Sequence, residues 1–317
     1  MAKLRLGLIG TGVAARKLYL PAFQRLGSKL EVVACTNRTR KKAEQYARLA
    51  GIDRVVDSSE ELMQLPEVDA VLISVPIDAQ PALVIRALAL GKPVISEKPM
   101  APSVAEGKKL IKAVARRSVP WLVAENFAFM PALAKVRSWL DAGKLGEPRL
   151  VESYQLTAMN AKNPYFHTAW RHAPKHVGGF VADGGVHMAH AVRRLLGMPE
   201  LVKNITAQFD PVLVPIDTAV AVLRFGSGAL GTWTSCFSAH YQGPMLRLYG
   251  SKATAELFWS HAVLRNAKGK ETTFRTDVDS FAAQFSHFCD VVKKGTPLAY
   301  TPEDALLDLT LIQSIVS

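Results

Sequence analysis

Leu4-Arg5-Leu6-Gly7-Leu8-Ile9-Gly10-Thr11-Gly12-Val13-Ala14-Ala15 decides how the first part of this chain folds. Its opening residues read as a short, mostly apolar strand. The strand runs straight into Gly10-Thr11-Gly12-Val13-Ala14-Ala15, a G-x-G-x-x-A sequence. Gly10 allows the tight turn out of the strand. Gly12 lets the backbone come close to a pyrophosphate at a helix N-terminus, and Ala15 keeps that helix against the strand. Thr11, Val13 and Ala14 complete the loop. An amphipathic segment follows through Leu18, Leu20, Phe23 and Leu26, and Pro21 predicts a bend or a restart within it.

Outward from this unit the chain alternates. A strand is expected over 30–35, a helix over 40–49 and a short strand at Val55-Val56. Ser58 or Ser59 caps a helix through Leu65, with Glu61 in its first turn. Ala70-Val71-Leu72-Ile73-Ser74-Val75 is an apolar run of the kind that lies buried on both faces of a parallel sheet, and Pro76 ends it. A helix over 82–90 closes at Gly91. Val94-Ile95 then leads into Glu97-Lys98-Pro99, and a helix over 104–117 and a strand over 121–124 follow. Such alternation argues an α/β domain with a doubly wound parallel sheet over residues 1–125.

After Asn126 the pattern changes. A helix over 131–142 precedes strands over 150–156, 203–208, 219–225, 230–237, 245–250 and 253–258, several joined by turns such as Gly226-Ser227-Gly228. Helices over 279–294 and 302–316 close the chain. Residues 126–317 are therefore expected to form a second, α+β domain with an open, mainly antiparallel sheet.

The second strand ends where a nucleotide-binding fold discriminates the ribose. An NAD enzyme usually has Asp or Glu there. This chain has Thr36-Asn37-Arg38-Thr39-Arg40-Lys41-Lys42. Arg38 and Arg40 attract a 2′-phosphate, and Asn37 can donate a hydrogen bond to it. The expected cofactor is NADP in preference to NAD.

Composition narrows the classes. Nearly half the residues (49%) are apolar and 21% charged, which is ordinary for a globular chain. No apolar run approaches a membrane span, and the first strand leaves no room for a signal peptide. Cys35, Cys236 and Cys289 are odd in number and far apart. They form neither a disulfide framework nor a zinc spacing, and a cytoplasmic setting is expected. The net charge is +12, with 20 Lys/Arg against 12 Asp/Glu in residues 1–125 and 19 against 15 beyond. No basic run or basic-aromatic interleaving accompanies it, so nucleic acid is not an expected partner. An anionic cofactor accounts for the excess more economically.

The chemistry is expected in Gly178-Gly179-Phe180-Val181-Ala182-Asp183-Gly184-Gly185-Val186-His187, read as a glycine-rich loop feeding a helix that stops at Gly197. Asp183 and His187 are four apart and point from one helix face, so the carboxylate can fix the tautomer and orientation of the imidazole. The plain alternative is a helix start that carries an acid for its dipole and an incidental histidine.

The order Gly10-Thr11-Gly12, Glu97-Lys98-Pro99, Trp170-Arg171 and Gly178-Gly179-x-x-x-Asp183-x-Gly185-x-His187 resembles the glucose-fructose oxidoreductase, inositol dehydrogenase and related (Gfo/Idh/MocA) oxidoreductases over essentially the whole chain. The resemblance implies a Rossmann domain carrying NAD(P), then a domain that supplies the substrate site and often the oligomer interface. It implies hydride transfer between nicotinamide and a hydroxyl or carbonyl carbon of a sugar or polyol, in a homodimer or homotetramer. Carried over residue by residue, Lys98 hydrogen-bonds the reacting oxygen and His187 exchanges the hydroxyl proton. Asp183 orients His187 and binds a substrate hydroxyl. Pro76, Glu97, Lys98, Asn126, Trp170 and Arg171 are implied on the cofactor. Tyr165 and His167 are substrate candidates because aromatic and polar groups suit sugar hydroxyls. His190, a further substrate candidate, stands where many members have Asp, on the face shared by Asp183 and His187.

Two departures stand out. Pro76-Ile77-Asp78-Ala79-Gln80 keeps only the proline of the family's Pro-Asn-x-x-His loop. The chain also stops at Ser317 inside an apparent helix, where relatives continue, so a truncated sequence is expected. Three rival readings differ in class. His167, His172, His176, His187 and His190 crowd one region, but Pro174 interrupts the His172–His176 spacing and no H-E-x-x-H or Cys/His set occurs, so no metal is expected. A sensor or regulator that binds NADP and a sugar without turnover would share the fold; the Lys98, Asp183 and His187 set argues for an enzyme. Redox-neutral glycoside cleavage through a transient ketone is also compatible with the sequence.

Overall fold

Strand β1 (Leu4–Ile9) lies at the middle of a six-stranded sheet with β2 (Leu30–Thr36), β3 (Arg54–Val55), β4 (Ala70–Ile73), β5 (Val94–Glu97) and β6 (Trp121–Ala124). The order is β3-β2-β1-β4-β5-β6 and every pairing is parallel. β4 and β6 are buried along their whole lengths, as strands covered on both faces must be. The strand order reverses between β1 and β4, so the loops after these two strands diverge and leave a crevice at their carboxyl ends. The Ser74 amide still donates to the Ile9 carbonyl at 2.8 Å, so the two strand ends stay together up to Gly10.

The computed structural model describes residues 2–317. They divide into two units, residues 2–126 with Asp279–Leu306, and Phe127–Val278 with Leu307–Ser317. In the first unit Pro21 does interrupt the helix. A π-helical segment Ala15–Tyr19 passes into the α-helix Leu20–Arg25, with the proline in its first turn. Ser58 and Ser103 cap the helices Ser59–Gln64 and Val104–Val114, accepting from the amides of Glu61 and Glu106. Helix Ser280–Lys294, capped by Asp279, also packs in this unit. Its Phe285 ring lies 5.0 Å from Tyr19 and 4.8 Å from Phe23, both edge-on.

The second unit is built on an eight-stranded sheet. Its strands are β7 (Pro148–Leu156), β8 (Pro199–Ala207), β9 (Thr218–Phe225), β10 (Leu230–Cys236), β11 (Leu246–Gly250), β12 (Ala253–Leu257), β13 (His261–Asn266) and β14 (Glu271–Arg275). The order is β14-β13-β12-β11-β7-β10-β9-β8, antiparallel except for β7 with β10. The sequence reading ended at β12; β13 and β14 extend the sheet by two strands. Helix Gly179–Leu196 covers one face. On that side β9 buries Ala219, Ala221, Leu223 and Phe225. On the other side Val220 and Val222 are exposed, with Ile205 of β8 paired opposite Val220.

The glycine run is not a loop. Helix begins at Gly179, so Asp183, Gly184 and Gly185 are helix interior. Two helical glycines cost about 1 kcal/mol each in propensity, and packing supplies the compensation. A methyl at Gly184 would stand 2.7 Å from the Phe237 ring, and one at Gly185 2.5 Å from the Ile312 side chain. Their absence lets the helix sit close on the sheet. No helix among the described residues is long and apolar enough to cross a membrane.

Candidate active site

In the first unit the glycine loop leaves β1 at the point of strand-order reversal. Gly10 has φ +95°, and a β-carbon there would stand 2.0 Å from the Ser74 carbonyl oxygen, so the position is closed to any other residue. A side chain at Gly12 would meet nothing within 4 Å, so backbone there is open to a ligand. The Thr11 hydroxyl is buried without a hydrogen-bond partner among the described residues. An orphaned hydroxyl, an open face over Gly12 and unpaired amides at a helix start fit a dinucleotide pyrophosphate. Val13 and Ala14 open the helix half-buried, and Ala15 is fully buried.

At the end of β2, Asn37 Nδ2 donates to the Thr39 carbonyl at 3.3 Å. Arg40 is held by Glu44, with Nε to Oε1 3.0 Å, and by Asp57. Arg38 is exposed and makes no hydrogen bond or ion pair among the described residues. Pro76 follows β4 and is half-buried. Glu97 ends β5 and accepts from the Tyr19 hydroxyl. Lys98 comes next, half-buried, and its bond to Pro99 is cis. Gln80, which stands where the family's loop has histidine, is fully buried and donates to the Pro99 carbonyl at 3.4 Å. Asn126, 1% exposed, donates to Ser280 Oγ at 3.0 Å. Tyr19 and Gln80 were not singled out as site residues from the sequence. No local spacing ties either to the Glu97-Lys98-Pro99 turn.

In the second unit helix Gly179–Leu196 carries Asp183 and His187 one turn apart. Asp183 is buried and His187 half-buried. The His187 ring stacks on Phe127 with centroids 5.0 Å apart and planes 20° apart, and Phe127 in turn meets Trp259 edge-on at 5.6 Å. Asp183 Oδ2 accepts from Arg171 Nε at 2.8 Å, and Arg171 Nη2 lies 2.8 Å from the same oxygen in an ion pair. The Arg171 guanidinium lies 4.0 Å from the Trp170 ring centroid and 4.9 Å from that of Tyr165. Tyr165, Trp170, Arg171 and Asp183 thus form one cluster. Phe127 and the Arg171–Asp183 pair carried no sequence signal, since a loop separates their partners.

The remaining histidines make other contacts. His167 is exposed, with Nε2 2.7 Å from the Ala161 carbonyl. His172 Nδ1 lies 3.3 Å from the Val212 carbonyl, and its Nε2 is against that of Phe166. His176 Nε2 is 3.1 Å from the Gly179 carbonyl. His190 is 3% exposed, with Nδ1 3.0 Å from Asp308, which also pairs with Arg193. No group of three or more His, Cys, Asp or Glu among the described residues is placed to hold a metal ion.

Comparison with known proteins gives this geometry a family. A model described as "Oxidoreductase family, NAD-binding Rossmann fold" matches residues 4–125, and one described as "GFO/IDH/MocA C-terminal domain" matches residues 133–256. An uncharacterized protein of Saccharomyces cerevisiae is 31% identical over 100% of this chain and 96% of its own length. The scyllo-inositol 2-dehydrogenase (NAD(+)) of Bacillus subtilis is 26% identical, covering 89% of this chain and 84% of its own. The crystal structure of an oxidoreductase from Thermotoga maritima superposes with a TM-score of 0.94 at 35% identity, over 99% of this chain and 96% of that one. With an NAD-binding Rossmann sheet, a mostly antiparallel second sheet and both matches in order along one chain, this protein belongs to the Gfo/Idh/MocA family of oxidoreductases.

Proposed function

We propose that the protein is an NADP-preferring dehydrogenase or reductase. It would move a hydride between nicotinamide and a hydroxyl or carbonyl carbon of a sugar, polyol or related compound. The observation that carries the reading is Asp183 and His187, one turn apart on a packed helix, with the carboxylate gripped by Arg171 and the imidazole stacked on Phe127. A histidine held in this way has a fixed ring plane and a fixed anion near it, which is what a proton-exchanging group needs.

Gly10, Thr11, Gly12, Val13, Ala14 and Ala15 would hold the pyrophosphate, with Pro76, Glu97 and Asn126 along the same sheet edge. Arg38 would hold the 2′-phosphate; Arg40 is already paired with two carboxylates. NADP bound there supplies the hydride acceptor or donor. The role proposed for Lys98 is to donate a hydrogen bond to the reacting oxygen and stabilise negative charge developing on it. His187 takes the hydroxyl proton when the substrate is oxidised and returns it when the carbonyl is reduced. Asp183 keeps the imidazole oriented. Tyr165 and His167 would contact substrate. A polyol or sugar is favoured by the scyllo-inositol enzyme among the relatives.

The exposed face of Ile205, Val220, Val222 and Leu230 supports a homodimer or homotetramer, because these side chains form one apolar strip across β8, β9 and β10. Free, mostly buried cysteines suit a reducing cytoplasm.

The test pairs binding with turnover. NADPH and NADH are titrated by fluorescence, and the loaded protein is then offered sugars, polyols and keto-sugars. Tight NADPH binding with substrate-dependent oxidation is expected. His187→Ala should lower turnover by about 10²–10⁴-fold and leave NADPH affinity nearly unchanged. Equal loss of both would remove His187 from the proton path. Binding without oxidation of any substrate would favour a sensor.

A further inference from the structure

Arg16 is half-buried and has no carboxylate partner among the described residues. It stands in the π-helical segment Ala15–Tyr19 beyond the glycine loop, and its amide donates to the Gly12 carbonyl at 3.2 Å. The side chain turns back toward the helix start, as long side chains on helices do. Nε donates to the Thr11 carbonyl at 3.4 Å and Nη2 to the Lys42 carbonyl at 3.3 Å. Thr11 belongs to the loop after β1, and Lys42 to the first turn of helix Arg40–Ala50 after β2. The guanidinium therefore bridges these two segments. β1 and β2 run side by side, with Ile9 opposite Thr36 and the Gly10 amide donating to the Thr36 carbonyl at 2.9 Å. Residues 37–39 leave the sheet at this same corner.

Two carbonyl contacts near the long limit of a hydrogen bond orient a guanidinium without cancelling its charge. Nη1 has no hydrogen-bond partner among the described residues. Glu44 on the same helix as Lys42 and Asp57 after β3 are both held by Arg40. Drawing a cation partly out of water without an opposite charge is unfavourable, and an anion brought by a ligand offsets the cost. The corner is where a dinucleotide fold meets the adenosine ribose. An acid there would repel a 2′-phosphate, and this chain has the buried Thr36 instead.

We propose that Arg16 is a second ligand of the 2′-phosphate, and that Arg16 and Arg38 together set the preference for NADP over NAD. This rests on the reading of the first unit as an NADP site. A phosphate monoester carries about −1.5 to −2 charge at neutral pH and three acceptor oxygens. Two guanidinium groups match it better than one. Arg38 is exposed and makes no hydrogen bond or ion pair among the described residues. Arg16 is oriented beforehand by two carbonyls, so it loses less freedom when it meets the phosphate.

The test is binding, without turnover. NADPH and NADH are titrated by fluorescence into full-length wild type, Arg16→Ala, Arg16→Lys, Arg38→Ala and the double variant Arg16→Ala with Arg38→Ala, at low and at physiological salt. Arg16→Ala should weaken NADPH about 5- to 30-fold and change NADH by less than about twofold. Arg16→Lys, which keeps the charge and loses the fork, should fall between. The double variant should bind the two nucleotides about alike, and the NADPH losses should shrink as salt rises. Equal losses of NADPH and NADH in Arg16→Ala would overturn the proposal and make Arg16 a clip on the glycine loop or a pyrophosphate contact. So would a double variant with the same NADPH/NADH ratio as Arg38→Ala. A wild type that does not prefer NADPH would remove the NADP reading and the role of Arg16 with it. A wild type whose preference is lost in Arg38→Ala and kept in Arg16→Ala would remove the role of Arg16 alone. Should Arg16→Ala fail to fold, Arg16→Met, which keeps the length of the stem, is read in its place with the same outcomes.

Discussion

Replacing Arg38 by alanine is expected to weaken NADPH and leave NADH almost untouched. Arg38 is exposed just beyond β2 and makes no ion pair among the described residues, so its charge is available to a 2′-phosphate. Two unit charges about 4 Å apart interact by about 4 kcal/mol at an effective dielectric near 20 and by about 1 kcal/mol in water. An exposed arginine belongs toward the watery end. A loss of about 1–2 kcal/mol, or roughly 5- to 30-fold in Kd, follows. Arg40 provides the contrast, because Glu44 and Asp57 already occupy it. Its removal should cost less than about threefold, since solvent and salt screen exposed groups. The assay is fluorescence titration of wild type, Arg38→Ala and Arg40→Ala with both nucleotides, at low and at physiological salt. The Arg38 effect should shrink as salt rises. An unchanged NADPH/NADH ratio in Arg38→Ala would refute the reasoning, and so would a larger loss in Arg40→Ala.

Three further outcomes are expected. Gly184→Ala should lower the melting temperature. Helix propensity favours alanine by about 1 kcal/mol, but the new methyl meets the Phe237 ring at 2.7 Å, and overpacking costs about 1–3 kcal/mol; a rise in melting temperature would show that propensity wins. Burial alone would push the Asp69 carboxyl up, but hydrogen bonds from Arg5 and the charges of Lys293 and Arg5 hold it down at about 2. Its contribution to stability is therefore present above the ordinary carboxylate range and lost as pH falls toward 2. Urea midpoints of wild type and Asp69→Asn should differ at pH 6 and converge in acid, and a gap that does not change with pH would contradict this. Burial pushes the Cys35 and Cys289 thiols up to about 11. At pH 8 a disulfide reagent should therefore titrate Cys236 at most, with the other two reacting only after denaturation; three fast equivalents would be the contrary result.

The first sheet was legible because its signals are local. The Gly10–Ala15 loop and the apolar run of β4 each declare themselves within a few residues. β14 offered no such signal. Its residues are almost all exposed, and it is defined as a strand by its pairing with β13. The glycines at 184 and 185 read as loop because propensity is local, whereas the reason for them, Phe237 and Ile312, lies elsewhere in the chain. Asp183 and His187 could be paired from helical spacing. The grip of Arg171 on Asp183 could not, because an irregular segment sets that distance. Nor does any local pattern reveal that helix Ser280–Lys294 packs with the first unit, since its Phe281 and Phe285 would suit any apolar surface.

That helix also bears on how the protein is made. The first unit is discontinuous: its sheet is complete at β6, yet the Phe285 ring that packs edge-on against both Tyr19 and Phe23 lies on a segment that follows the whole of the second sheet. At about 5–20 residues per second, synthesis leaves these rings uncovered for roughly 10–50 s after they emerge. During that interval the nascent nucleotide-binding half presents a sticky apolar strip to chaperones and neighbouring chains. A fragment ending at Asn126 would carry the strip permanently. Ribosome-bound chains halted before and after Ser280 should therefore differ sharply in protease resistance of the N-terminal half.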